Sequence, residues 1–139
     1  MLRFLFDTDH LTLYQHQHPQ LMQRMVLQPP DAVGVSAVTV EESLRGRLAS
    51  LSQAASGPRR IVRYGLLLES LDLLTQFLLI PYDQASENYF QQLRSSRLRV
   101  GAQDLKIASI ALANNVILLT RNRRDFGRIP GLALDDWAV

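Results

Sequence analysis

The stretch Leu2-Arg3-Phe4-Leu5-Phe6-Asp7-Thr8-Asp9-His10 decides how the rest of the chain reads. Its short apolar run stops abruptly at a carboxylate. Such a run, bounded by polar residues, reads as a buried strand. Strands apolar on both faces belong to parallel sheets. Ligands of open parallel sheets sit just beyond the carboxyl ends of the strands, so Asp7 would stand at the ligand-bearing edge. Taken alone, Asp7 reads first as the N-cap of the helix that follows, a common role. The stretch gains weight because further acids fall at comparable places along the chain.

Working outward, residues 8–14 are helix-compatible. Pro19 opens a second helix, with Leu21, Met22, Met25 and Val26 at helical spacing. Residues 32–36 read as a second buried strand. Ser36 or Thr39 then caps a helix over about residues 38–52, with Glu42 near its first turn. The next helix, about residues 58–75, carries Leu66, Leu67, Leu68, Leu71, Leu73 and Leu74. One helix face can hardly bury all of these in a small domain, so a partner surface and a deep core both stay open. Residues 77–81 form a third strand, and Asp83 caps a helix to about residue 97. A basic loop, residues 94–99, precedes a helix that starts around Asp104 and ends at Asn114-Asn115. Residues 116–120 are a fourth strand, residues 121–126 a polar loop, and residues 132–134 a short fifth strand. Strands alternating with helices argue for an α/β sandwich around a parallel sheet of four to five strands. With no linker, repeat or low-complexity tract, residues 1–139 read as one domain.

The bulk composition narrows the function classes. A content of 47% hydrophobic and 20% charged residues is that of an ordinary globular protein. The net charge of +2 is too small to argue nucleic-acid binding by itself. Its make-up says more: 14 of the 15 basic residues are arginine, whose planar fork suits phosphate. With no cysteine, disulfides and thiolate zinc sites are excluded. No run approaches a membrane span, and the apolar N-terminal run is too short for a signal peptide. The expectation is a cytoplasmic protein with no membrane association.

Four places carry candidate chemistry. Asp7 follows the first strand, and Glu42 lies early in the helix after the second. Asp104 opens the helix before the fourth strand, and Asn122 and Asp125 lie in the loop after it. In a doubly wound sheet these can share one edge. Two charges ~4 Å apart at an effective dielectric of ~20 repel by about 4 kcal/mol, so converging acids need a positive partner. Oxygen donors without cysteine, and without histidine at these places, suit Mg²⁺ or Mn²⁺. Each acid singly is also explained as a solvated helix cap. His10, His16 and His18 read as surface or rim residues, and the His16/His18 pair lacks a third zinc ligand.

These pieces resemble the PIN-domain ribonucleases, and among them the VapC-type toxins of toxin–antitoxin pairs. The matching segments are Phe6-Asp7-Thr8-Asp9, Val38-Thr39-Val40-Glu41-Glu42-Ser43-Leu44-Arg45-Gly46, Asp104-Leu105-Lys106-Ile107-Ala108, and Leu119-Thr120-Arg121-Asn122-Arg123-Arg124-Asp125-Phe126 with Ile129-Pro130-Gly131-Leu132. They follow the family's order over nearly the whole chain. The resemblance implies a PIN-like α/β/α sandwich and metal-dependent hydrolysis of RNA phosphodiester bonds. It implies Asp7, Glu42 and Asp104 as metal ligands, with Asn122 or Asp125 as the fourth site residue, and it further implies a homodimer and a cognate antitoxin. Two departures stand out: Asp9 replaces the usual asparagine, and Asn122 stands where an aspartate is common. Glu41 is a decoy for Glu42. Adjacent helical residues point about 100° apart, so one of the two can face the site, and the match of the Glu42–Gly46 spacing to the family's pattern implies Glu42. Arg97, Arg99 and Arg121 flank the acids and are expected to bind the RNA backbone, although solvated surface charge explains any one of them.

Two other readings compete. Asp7-Thr8-Asp9 gives the start of a haloacid dehalogenase-type phosphatase pattern, but Leu11 stands where threonine or valine is expected, and Asp135-Asp136 lies too late for its closing acids. A degenerate PIN-like or receiver-like interaction module would not need the full acid set.

Overall fold

The computed structural model describes residues 1–139. Phe4, Leu5, Phe6 and Asp7 are buried in succession, as expected of a strand covered on both faces. They form β1 (Phe4–Phe6) and its end. The chain continues through α1 (Thr8–Gln15), α2 (Pro19–Met25), β2 (Val33–Ser36), α3 (Ala37–Ser52), α4 (Gly57–Leu74), β3 (Leu78–Ile80), α5 (Gln84–Ser95), α6 (Ala102–Asn114), β4 (Ile117–Leu119), α7 (Arg123–Phe126) and β5 (Leu134–Asp135). The strands make one five-stranded sheet in the order β3-β2-β1-β4-β5. Every pairing is parallel.

Alternation along the strands divides the core in two. Leu5 and Leu118 face a layer containing Phe90 and Leu93 of α5 and Leu105, Ile107 and Ile110 of α6. Phe4, Phe6, Val33, Val35 and Leu119 face the opposite way, onto Leu11, Leu21, Leu74 and Trp137. Gly34 is needed in β2 because a Cβ there would come within 2.9 Å of Leu2 Cδ1 and 3.0 Å of Ile80 Cγ1.

Capping chemistry sets most helix boundaries. Asp7, Ser36, Ser56 and Asp83 each accept a hydrogen bond from the backbone N–H three residues on, satisfying donors that a helix leaves open. Asn115 ends α6 in the left-handed region at φ 52°, which asparagine tolerates. Two expectations need correction. Residues 121–126 are not all loop: Asn122 accepts from Asp125 N–H and starts the one-turn helix α7. The fifth strand lies at Leu134–Asp135 rather than at residues 132–134, set by pairing of Leu118 with Leu134 and Leu119 with Asp135.

The leucine-rich α4 is mostly unburied. Leu74 is in the core, whereas Leu68 and Leu71, with Ile61, Val62 and Tyr64, are exposed. No helix is long and apolar enough to cross a membrane.

Candidate active site

The strand order turns back on either side of β1, so the carboxyl ends of β1 and β4 border the crevice in which doubly wound sheets bind ligands. Asp7 leaves β1 at that point and is 6% exposed. Both sequence readings of it hold together. Its Oδ1 caps α1 by accepting from His10 N–H at 2.7 Å, and the residue also lines a cleft of about 470 Å³.

Glu42 reaches the same cleft from α3, and Asp104 from the first turn of α6. Thr8 Oγ1 donates to Glu42 Oε1 at 2.8 Å and lies 3.0 Å from Thr39 Oγ1. Thr39 Oγ1 in turn stands 3.4 Å from Ser36 Oγ. A chain of hydroxyls thus orients the Glu42 carboxylate from beneath. Glu41 is exposed and turned elsewhere: it pairs with Arg45 and accepts from Gln103 Nε2 at 3.1 Å. The hydrogen bond from Gln103, helped by the Arg45 charge, holds the Glu41 carboxyl below its ordinary range.

Asp104, inside the cleft, has the opposite electrostatics. Burial pushes the Asp104 carboxyl upward, and the negative charges of Glu42, Asp125 and Asp7 push it further. No lysine or arginine forms an ion pair with Asp7, Glu42 or Asp104. The side-chain nitrogen within ion-pair distance of them is His10 Nδ1, 3.5 Å from Asp7 Oδ1. The acids are spread around an open cleft, with no three histidine, aspartate or glutamate side chains gathered tightly enough to hold an ion as they stand.

Asn122 lines the cleft, but its amide also builds α7, with Oδ1 accepting from Asp125 N–H and Nδ2 donating to Asp125 Oδ2 at 3.1 Å. Asp125 is outside the lining and acts on Asp104 through its charge. Asp9 lines the cleft from α1. Of the three arginines expected at the rim, only Arg121 borders the cleft. Arg97 and Arg99 are exposed on the connection between α5 and α6. Arg128 ties that connection to α7: its Nη1 donates to the Arg99 carbonyl at 2.8 Å and stands 3.8 Å from Asp125 Oδ1.

No family model matches the chain. Individual proteins do. It is 27% identical to Ribonuclease VapC1 of Haemophilus influenzae (strain R2866), over 96% of this chain and 97% of that one. Against the tRNA(fMet)-specific endonuclease VapC of Shigella flexneri the identity is 28%, over 99% of this chain and the whole of the relative. The structure superposes on a chain of DNA-bound VapBC from Salmonella typhimurium with a TM-score of 0.83, 25% identity and 99% coverage of both.

The chain is similar to VapC proteins over nearly its whole length.

VapBC-1 from nontypeable Haemophilus influenzae shares the fold, with a TM-score of 0.78 over 99% of this chain. On this VapC fold, three residues around the acids escaped the sequence reading. Thr8 and Thr39 support Glu42, and His10 is fully buried, not a surface or rim residue. His10 lies three residues after Asp7 on one helix, a spacing that brings side chains together, and that was the available signal. His16 is exposed and His18 only partly buried, and no metal-binding group forms there.

Proposed function

We propose that this chain is an endoribonuclease of the VapC type, hydrolysing RNA phosphodiester bonds in the cytoplasm as the toxin of a toxin–antitoxin pair. The whole of residues 1–139 would act as one nuclease domain. The observation that carries the reading is the convergence of Asp7, Glu42 and Asp104 from β1, α3 and α6 on one cleft without a lysine or arginine ion-pair partner. The relatives' names as ribonucleases support the substrate class.

The donor set fits a hard divalent cation: it is all oxygen, acidic and free of sulfur. Asp7, Glu42 and Asp104 would hold Mg²⁺ or Mn²⁺, with the Asn122 side-chain oxygen as the fourth contact and Asp125 adding negative potential. Bound there, the ion supplies a Lewis acid that makes water nucleophilic near neutral pH and offsets charge on the phosphoryl group. The protein does the rest. Asp7 is fixed by its capping bond, and Glu42 is oriented by Thr8. Arg121 at the cleft wall, with Arg97 and Arg99 further out, attracts the RNA backbone.

The antitoxin finds a surface beside these acids. A groove next to the cleft shares Thr8 and Glu42 with it and runs past Arg47 and Ser70 to Leu73 and Leu74. The exposed Ile61, Val62, Tyr64, Leu68 and Leu71 of α4 extend the apolar area available to an antitoxin or to a second copy in a homodimer. The solved structures of VapBC support the first of these partners.

The test is cleavage of RNA by purified protein with and without Mg²⁺ or Mn²⁺. Asp7→Asn keeps the helix cap, since asparagine caps as well as aspartate, and is expected to reduce cleavage to background with an unchanged circular dichroism spectrum. Full activity in Asp7→Asn, or full activity in a chelator, would overturn the reading. Hydrolysis of small phosphate esters with RNA left intact would favour a phosphatase.

A further inference from the structure

His10 is a titratable side chain with no exposure at all, set between two carboxylates. Its Nδ1 stands 3.5 Å from Asp7 Oδ1 and its Nε2 3.5 Å from Asp136 Oδ1. Trp137 N–H donates to Nε2 at 3.2 Å. A nitrogen that accepts a hydrogen bond carries its lone pair there, so the network assigns the ring proton to Nδ1. Nδ1 makes no hydrogen bond as it stands, and a buried donor left unmatched is costly. The acceptor nearest to hand is Asp7 Oδ1, the oxygen that already takes His10 N–H at 2.7 Å.

We infer that His10 is a positioning residue for Asp7, directing its Nδ1–H at Oδ1 so that Oδ2 is the oxygen presented to the cleft. This rests on the proposed carboxylate site. The backbone N–H of residue 10 already holds Oδ1, and the ring nitrogen of the same residue faces that oxygen from 3.5 Å. The ring is oriented in turn from the far end of the chain. Trp137 is 2% exposed and packs on Phe4 and Phe6, with ring centroids 4.8 and 6.5 Å away. Asp136, whose Oδ1 accepts from Ala138 N–H at 2.8 Å, holds the turn that presents Trp137 N–H. The C-terminal residues thus set the tautomer of a histidine that sets a carboxylate, a support that ligands of metal sites commonly require.

The experiment is Mn²⁺ binding measured by calorimetry on wild type, Asp7→Asn, His10→Leu, His10→Asn and His10→Gln, with melting temperatures alongside. The Asn amide nitrogen can occupy the place of Nδ1 and keep the donor to Asp7. The Gln amide reaches the place of Nε2 and keeps only the Trp137 contact. His10→Leu and His10→Gln are expected to bind Mn²⁺ about tenfold or more weakly, and His10→Asn to recover most of that loss, whatever the order of melting temperatures. Wild-type affinity in His10→Leu or His10→Gln would overturn the positioning role while leaving the site intact. Affinity that tracks melting temperature rather than the donor would also overturn it. No saturable Mn²⁺ binding in wild type, or binding unchanged in Asp7→Asn, would overturn the carboxylate-site reading and this inference with it.

Discussion

Asp104 inside the cleft and three acids outside it sit in opposite electrostatic settings. Outside, Asp83 takes the Ser86 N–H and hydroxyl, Glu87 the Tyr82 hydroxyl, and Glu41 the Gln103 amide and Arg45. These donors hold all three carboxyls below their ordinary range. Inside, Asp104 is pushed upward by burial and by Glu42, Asp125 and Asp7. Donors that favour the charged form stabilise the fold, and convergent like charges cost stability. Such an arrangement makes the cleft a candidate functional site.

The sharpest way to break this contrast uses two neighbours of like chemistry. Glu42→Gln is expected to lose RNA cleavage to background, whereas Glu41→Gln keeps it close to wild type, as read by rates on one RNA substrate. The reverse outcome would place the site on the other face of α3. Next comes the rim. Replacing Arg97, Arg99 and Arg121 with glutamine is expected to weaken RNA binding and flatten its salt dependence, measured in Ca²⁺ to suppress turnover, since phosphate contacts set that slope. Because only Arg121 borders the cleft, Arg121→Gln alone should affect cleavage of bound RNA more than the other two together.

The smallest expected effects are on stability, and here the two settings should differ in sign. Asp83→Ala removes a helix cap and should lower the melting temperature by a few degrees with cleavage unchanged. Asp104→Asn should raise the melting temperature of the metal-free protein. The gain should be complete above the raised Asp104 pKa, where the wild-type group is charged in the fold. It should fade as pH drops through that value toward the ordinary carboxylate range, where wild type is protonated both folded and unfolded. A gain that grows with acidity would show that Asp104 is not the strained member.

The sequence by itself determined the alternation of elements, the parallel sheet and the helix starts at Asp7 and Asp83, and narrowed the cap of α3 to Ser36 or Thr39. These follow from apolar runs and from capping side chains that act within a few residues. It also lined up Asp7, Glu42, Asp104 and the Asn122/Asp125 loop, because each stands near a strand end or helix start of a doubly wound sheet, and the family resemblance singled out the first three. Only the tertiary structure decided the rest. Burial of His10 depends on Trp137, 127 residues away, and an isolated histidine in a polar stretch carries no trace of that contact. The choice of Arg121 over Arg97 and Arg99 at the cleft wall depends on how α7 and the connection between α5 and α6 are tied by Arg128. The length of β5 depends on its partner β4. Local chemistry is written in neighbouring residues, whereas long-range packing settles which surface each of them meets.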